Sequence, residues 1–201
     1  MVVEDWTRSG LGARGIPPGW KGENWGRASA EDLTVVEDEG RRALRMRSAG
    51  DRATLSIDLN GRVDLERTPI LEWTWKVTVL PVGGDARVKA RADQAGQVYV
   101  VWPRAPALLR SRIIGYAWDT TAPAGATIPS QKTRTVTYVI VRSGRADLGR
   151  WITERRDVVA DYRRIYGEAP DAPGALSLSI DSNDTRSAAE SFVGSIVFRP
   201  R

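Results

Sequence analysis

Hydrophobic positions along this chain recur mostly with period two, and that alternation is the signature of half-buried β-strands. It is clearest over Ile70–Val79, where Leu71, Trp73, Trp75, Val77 and Val79 share one face. Glu72, Thr74, Lys76 and Thr78 share the other face, and Pro69 and Pro81 bracket the run. Shorter runs predict strands over 33–36, 43–47, 54–59, 97–102, 113–118, 135–142, 175–180 and 195–198. In the third of these, Leu55, Ile57 and Leu59 alternate with Thr54, Ser56 and Asp58. Over 135–142 both faces carry apolar residues, which predicts a central strand. One segment has helical spacing instead: Val158, Tyr162 and Tyr166 fall at i, i+4 and i+8, with Val159 and Ile165 beside them. This predicts a short helix near 154–166, with Thr153 as N-cap and Gly167 just past its end. Nine strands and one helix predict an all-β fold, an antiparallel two-sheet sandwich of jelly-roll type. The whole of 1–201 is expected to be one domain, with 1–32 as a loop-rich lead-in around Pro17-Pro18-Gly19-Trp20.

Composition narrows the chemistry. The chain has no Cys and no His, so it can form neither a Ser-His-Asp triad nor a thiolate or imidazole metal site. Any metal would be held by oxygen, with Ca²⁺ the candidate. The formal charge is +5, and all but four of the 30 basic residues are Arg. Acids are interspersed with them, and the only basic clusters are pairs such as Arg155-Arg156, so no nucleic-acid partner is expected. No run approaches the ~20 apolar residues of a membrane span. The abrupt start at Met1 reads as a chain without its native leader, and a periplasmic or secreted location is expected.

Several words in fixed order resemble a known family. They are Pro18-Gly19-Trp20, Leu71-Glu72-Trp73-Thr74-Trp75, Ile114-Gly115-Tyr116-Ala117-Trp118 and Gly149-Arg150-Trp151. The stretch from Arg156 to Gly167 and Asp181-Ser182-Asn183-Asp184-Thr185 complete the order. Together they resemble the bacterial family known as domain of unknown function 3047, from about Gly15 to Phe198. The resemblance implies an exported β-sandwich and no particular activity. Relatives tend to carry paired acids before an Arg that leads into a Tyr-bearing strand. Here Asp93 follows Ala92, and Gln97 stands where that Arg is usual.

Candidate ligand-binding residues follow from position. Trp102, Trp118 and Tyr116 sit at strand ends, as Trp25 sits in a loop, where aromatic side chains can grip a ligand. Asp93, Arg156 and Asp157 are the accompanying polar candidates. Trp73 and Trp75 are expected in the core. Asp181, Asn183 and Asp184 concentrate oxygen ligands after a strand and are the candidate Ca²⁺ site, although their spacing is not that of an EF-hand loop. The same segment equally suits an Asx-rich turn. The expected partner is a glycan or another polar ligand of the cell envelope, bound without catalysis. Two alternatives stand beside it: a carbohydrate-active enzyme using carboxylates from among Asp93, Asp157, Asp161, Asp181 and Asp184, and a structural or protein-interaction domain.

Overall fold

The computed structural model describes residues 1–22 and 32–201. Trp25 lies outside the described residues. Two sheets stack face to face. The first is built from Val2–Glu4 (β1), Leu33–Asp38 (β3), Arg41–Ala49 (β4), Ile70–Val79 (β6), Ile152–Asp157 (β11) and Ala188–Arg199 (β13). Its order is β11-β6-β13-β4-β3, with β1 added to β13. The second contains Lys21–Gly22 (β2), Arg52–Asp58 (β5), Gly96–Trp102 (β7) and Arg112–Asp119 (β8). Thr127–Pro129 (β9), Val136–Ser143 (β10) and Ala175–Asp181 (β12) complete it. Its order is β2-β5-β12-β7-β8-β10-β9. The architecture is therefore the β-sandwich that the alternation predicts.

The inner faces meet through aromatic rings. The Trp73 ring of the first sheet stacks on Tyr116 of the second at 5.4 Å between centroids, and Trp75 meets Trp118 at 5.8 Å. Trp73 and Trp75 contact each other edge to face at 5.5 Å. The aliphatic partners are supplied by the alternate positions of each strand, such as Leu55 and Ile57, Val98 and Val100, and Leu176, Leu178 and Ile180. Gly96 lets the Trp75 ring approach closely, since a Cβ there would lie only 3.2 Å from it.

Three details depart from the sequence reading. The helix is shorter than expected, Val158–Tyr166 (α2), because Ile152–Asp157 is an edge strand paired with β6 from Ile152 opposite Trp75 to Asp157 opposite Ile70. Its charged residues are tolerated because an edge strand shows one side to water. Asp157, not Thr153, is the N-cap: its Oδ1 accepts the Ala160 N–H at 2.9 Å. At the other end Gly167 closes the helix in the left-handed region, its N–H donating to Arg163 O at 2.9 Å, as expected. Second, β10 lies parallel to β8, whereas antiparallel pairing was expected throughout. The long connection over 120–135 makes that crossover possible and carries β9. Third, the lead-in contributes β1 and β2, and it buries Trp6 and Trp20 stacked at 5.7 Å. A further four-residue helix, Ala107–Arg110 (α1), precedes β8.

Candidate functional site

The parity of the second sheet sends its large apolar side chains inward and leaves a polar outer face. Thr54 and Ser56 alternate with Leu55 and Ile57 on β5, and Ser177 and Ser179 alternate with Leu176 and Leu178 on β12. Gln97 and Tyr99 alternate with Val98 and Val100 on β7. Register then lines these residues up across the strands. One row runs Lys21, Ser56, Ser177, Tyr99, Gly115, Tyr138. The next runs Thr54, Ser179, Gln97, Ala117, Ile140.

Hydrogen bonds tie the rows together. Ser177 Oγ donates to Ser56 Oγ at 3.2 Å, and the Thr54 and Ser179 hydroxyls share a bond of 2.8 Å. Tyr99 O–H donates to Gln97 Oε1 at 2.6 Å, and Gln97 Nε2 donates to Gln94 Oε1 at 2.5 Å. Gln94 Nε2 in turn reaches the buried Asp119 at 3.3 Å. Arg52, Thr54, Tyr99 and Val101 are half-buried on this face and reach solvent.

Gly115 positions the aromatic part of the face. A Cβ there would lie 2.6 Å from Tyr99 Cε1 and 3.2 Å from Tyr138 Cδ1. Both rings therefore lean into the space that the glycine leaves, 6.3 Å apart between centroids. Beyond them a second apolar cluster, with Ala86, Ala117, Ala122, Ile128, Val136 and Ile140 around Tyr138, packs a loop onto the sheet. Asp119 holds that wall: it accepts the N–H groups of Ala86 at 2.9 Å, Thr121 at 2.8 Å and Ala122 at 2.7 Å. Burial raises the Asp119 carboxyl above its ordinary range despite these donors.

The far end of the face gathers three of the acids singled out from the sequence. Asp93 is fully buried and accepts the N–H groups of Asp184 at 3.2 Å and Thr185 at 2.6 Å. Asp184 pairs with Lys132. Asp181 accepts the Asn183 N–H at 3.3 Å and lies 3.8 Å from Arg52 Nη1. Burial, a hydrogen bond shared with Asp93 and the Asp93 charge push the Asp181 carboxyl up to about 7, against the pull of Arg52 and Lys132. The candidate Ca²⁺ ligands Asp181, Asn183 and Asp184 lie here. Among the described residues no group of three or more acids could hold a metal ion. Backbone N–H groups bond Asp93 and Asp181, Lys132 pairs with Asp184, and Asn183 Nδ2 is turned onto Asp184 Oδ1 at 3.2 Å. The Asp181–Thr185 segment is a turn tied down by Asp93.

The aromatic candidates are corrected. Tyr116, Trp118 and Trp102 are 0%, 1% and 2% exposed. They share the inward parity of Ile114 and Val100, and a place near a strand end does not change that parity. Each polar atom is already engaged: Trp118 Nε1 donates to Gly144 O at 3.1 Å, Trp102 Nε1 to Asp171 O at 2.8 Å, and Tyr116 O–H to Asp161 at 3.0 Å. Arg156 and Asp157 are structural in this geometry. Arg156 holds Asp161 through two hydrogen bonds of 3.0 and 2.6 Å, and Arg164 adds a third at 2.9 Å. Asp157 caps α2. Its replacement by alanine is expected to cost ~1 kcal/mol, since the exposed pair with Arg201 adds little; urea unfolding measures this. Sequence reasoning missed Tyr99 and the hydroxyl rows, although the alternation of Gln97 and Tyr99 with Val98 and Val100 carried their signal.

The family model described as protein of unknown function (DUF3047) matches residues 18–197. No curated protein sequence matches the chain. The chain is similar to several solved structures. The family 11 carbohydrate-binding module of a Clostridium thermocellum cellulosomal cellulase is 8% identical, with TM-score 0.48 and coverage of 100% of this chain and 94% of that one. The CBM22-1 xylan-binding domain of Paenibacillus barcinonensis Xyn10C is 12% identical, with TM-score 0.42 over 94% and 90%. The K2 cleaved adhesin domain of Lys-gingipain is 9% identical, with TM-score 0.49 over 98% of each chain.

Proposed function

The chain belongs to the family described as protein of unknown function (DUF3047), and we propose that it binds a carbohydrate on the outer face of the seven-stranded sheet. The observation that carries this reading is the Tyr99 ring, seated over Gly115 and flanked by two rows of hydroxyl and amide side chains. A sugar ring presents apolar C–H groups on its faces and hydroxyls around its rim. The half-buried Tyr99 ring suits the first, and the half-buried Thr54 hydroxyl suits the second, held in rows with the buried Ser56, Ser177, Ser179 and Gln97. Their hydrogen-bonded rows fix them before a ligand arrives, which lowers the entropy cost of binding. Arg52, whose Nη1 lies 3.8 Å from Asp181, adds a charged donor at one end.

In this reading the domain holds its ligand without transforming it and works in the periplasm or outside the cell. Among the described residues no helix is long and apolar enough to cross a membrane. The test is a glycan array of the purified domain, repeated with Tyr99→Ala and Thr54→Val. A specific hit that weakens at least about tenfold in Tyr99→Ala, with the far-ultraviolet circular dichroism unchanged, is expected. A blank array, or a hit that ignores both substitutions, would overturn the proposal.

A further inference from the structure

At the end of the sandwich beside α2, a pocket of about 320 Å³ is lined by Arg104, Arg110, Arg112 and Arg134, with Ser111 and Tyr166 among its other walls. We infer that this pocket binds an oxyanion: a phosphate or sulfate group, or the carboxylate of an acidic sugar.

Two of the guanidinium groups are fixed in place. Arg112 donates to the Tyr162 hydroxyl oxygen at 2.9 Å and to Glu168 at 2.5 Å, and it lies over the Tyr166 ring at 4.8 Å. Arg104 donates to the same Tyr162 oxygen at 3.1 Å and approaches Glu168 and Asp171 at 3.4 and 3.5 Å. Glu168 and Asp171 together offset these two charges. Arg110 and Arg134 have no carboxylate partner among the described residues, so the lining keeps two uncompensated positive charges. Four cations around one cavity repel, and an anion between them relieves that repulsion. Guanidinium forks match the oxygen edges of phosphate, sulfate and carboxylate alike. Ser111 accepts the Arg104 N–H at 3.2 Å through Oγ, which leaves its hydroxyl proton to donate.

The pocket is separate from the proposed carbohydrate face. Arg112 stands opposite Trp102 at the start of β8, three residues before Gly115, and its side chain is turned onto α2. The two proposals therefore fail independently: substitutions at Arg110 and Arg134 should leave a neutral glycan bound on the sheet face.

The experiment is a titration of the intact chain with sodium phosphate, sodium sulfate and sodium glucuronate, each against sodium chloride at matched ionic strength. Calorimetry and the thermal midpoint are read together. At least one oxyanion is expected to bind saturably and to raise the midpoint above chloride. Affinity should fall at least about tenfold in the double variant Arg110→Ser, Arg134→Ser, whose midpoint in chloride is no lower than the parent's. Preference for phosphate or sulfate would identify a tetrahedral group as the ligand, and preference for glucuronate an acidic sugar. The proposal is overturned if no oxyanion acts beyond chloride, or if the double variant responds as the parent does.

Discussion

Truncating Trp118 to alanine is expected to cost about 3–5 kcal/mol of folding stability. The ring is 1% exposed, packs against Trp75 across the sandwich, and donates its N–H to Gly144 O. Truncation removes the buried aromatic area, leaves a cavity between two sheets that cannot close over it, and strips a carbonyl of its donor. Total stability of a domain this size is on the order of 5–15 kcal/mol, so the loss is a large fraction of the whole. Urea unfolding followed by circular dichroism measures it. A change below about 1 kcal/mol would mean that the ring is not in the core and would return it to the surface as a ligand contact.

Asp181→Asn is expected to change how stability depends on pH. The folded protein holds the Asp181 proton up to about pH 7, whereas the unfolded chain releases it near 3.8. Between those values the native state carries more protons than the unfolded one, so stability falls as pH rises. The contribution is fully present below about pH 4 and is lost as pH passes through 7; over the whole window it is on the order of 4 kcal/mol. Asp119, raised by burial, has the same sign. Asp85 has the opposite sign: Arg87 holds its carboxyl far below the ordinary range, so its stabilisation is present above 3.8 and lost in stronger acid. Asp93, Asp184, Arg52, Lys132 and the two tyrosines Tyr99 and Tyr138 surround Asp181, and asparagine keeps the side chain's size while removing the like charge facing Asp93. Near about pH 8 the variant should be the more stable protein, and its slope between about pH 5 and 8 should be shallower than the parent's. Parallel slopes would show that Asp181 is already ionised in the native state.

Much of the fold was legible from alternation alone. The run from Ile70 to Val79 is a strand with those bounds, and the inward set Leu71, Trp73, Trp75 and Val77 is buried. The segment Ile152–Asp157 was harder, because its charged sequence lies on an edge and the helical spacing of Val158 and Tyr162 follows at once. The site was less legible. Tyr116 and Trp118 drew attention as aromatics near a strand end, yet Gly115 and Ala117, which alternate with them, lie on the outer face. Small residues there leave room for Tyr99 and Tyr138 to lie across the sheet. The parity of Tyr99 was visible, but its neighbours Ser56 and Ser177 come from distant strands, and only register brings them into one row. Asp93 and Asp181 meet for the same nonlocal reason. The arginine pocket draws on 104–112 and on Arg134, with no local pattern to announce it.

The most direct test of the carbohydrate-binding account is an amide NMR titration of the domain with soluble oligosaccharides. Shifts confined to the outer face of the seven-stranded sheet, at Thr54, Gln97, Tyr99, Gly115, Ser177 and Ser179, are expected. Shifts gathered instead on the opposite sheet, around Trp151, Phe192 and Lys76, or no shifts at saturating sugar, would contradict it.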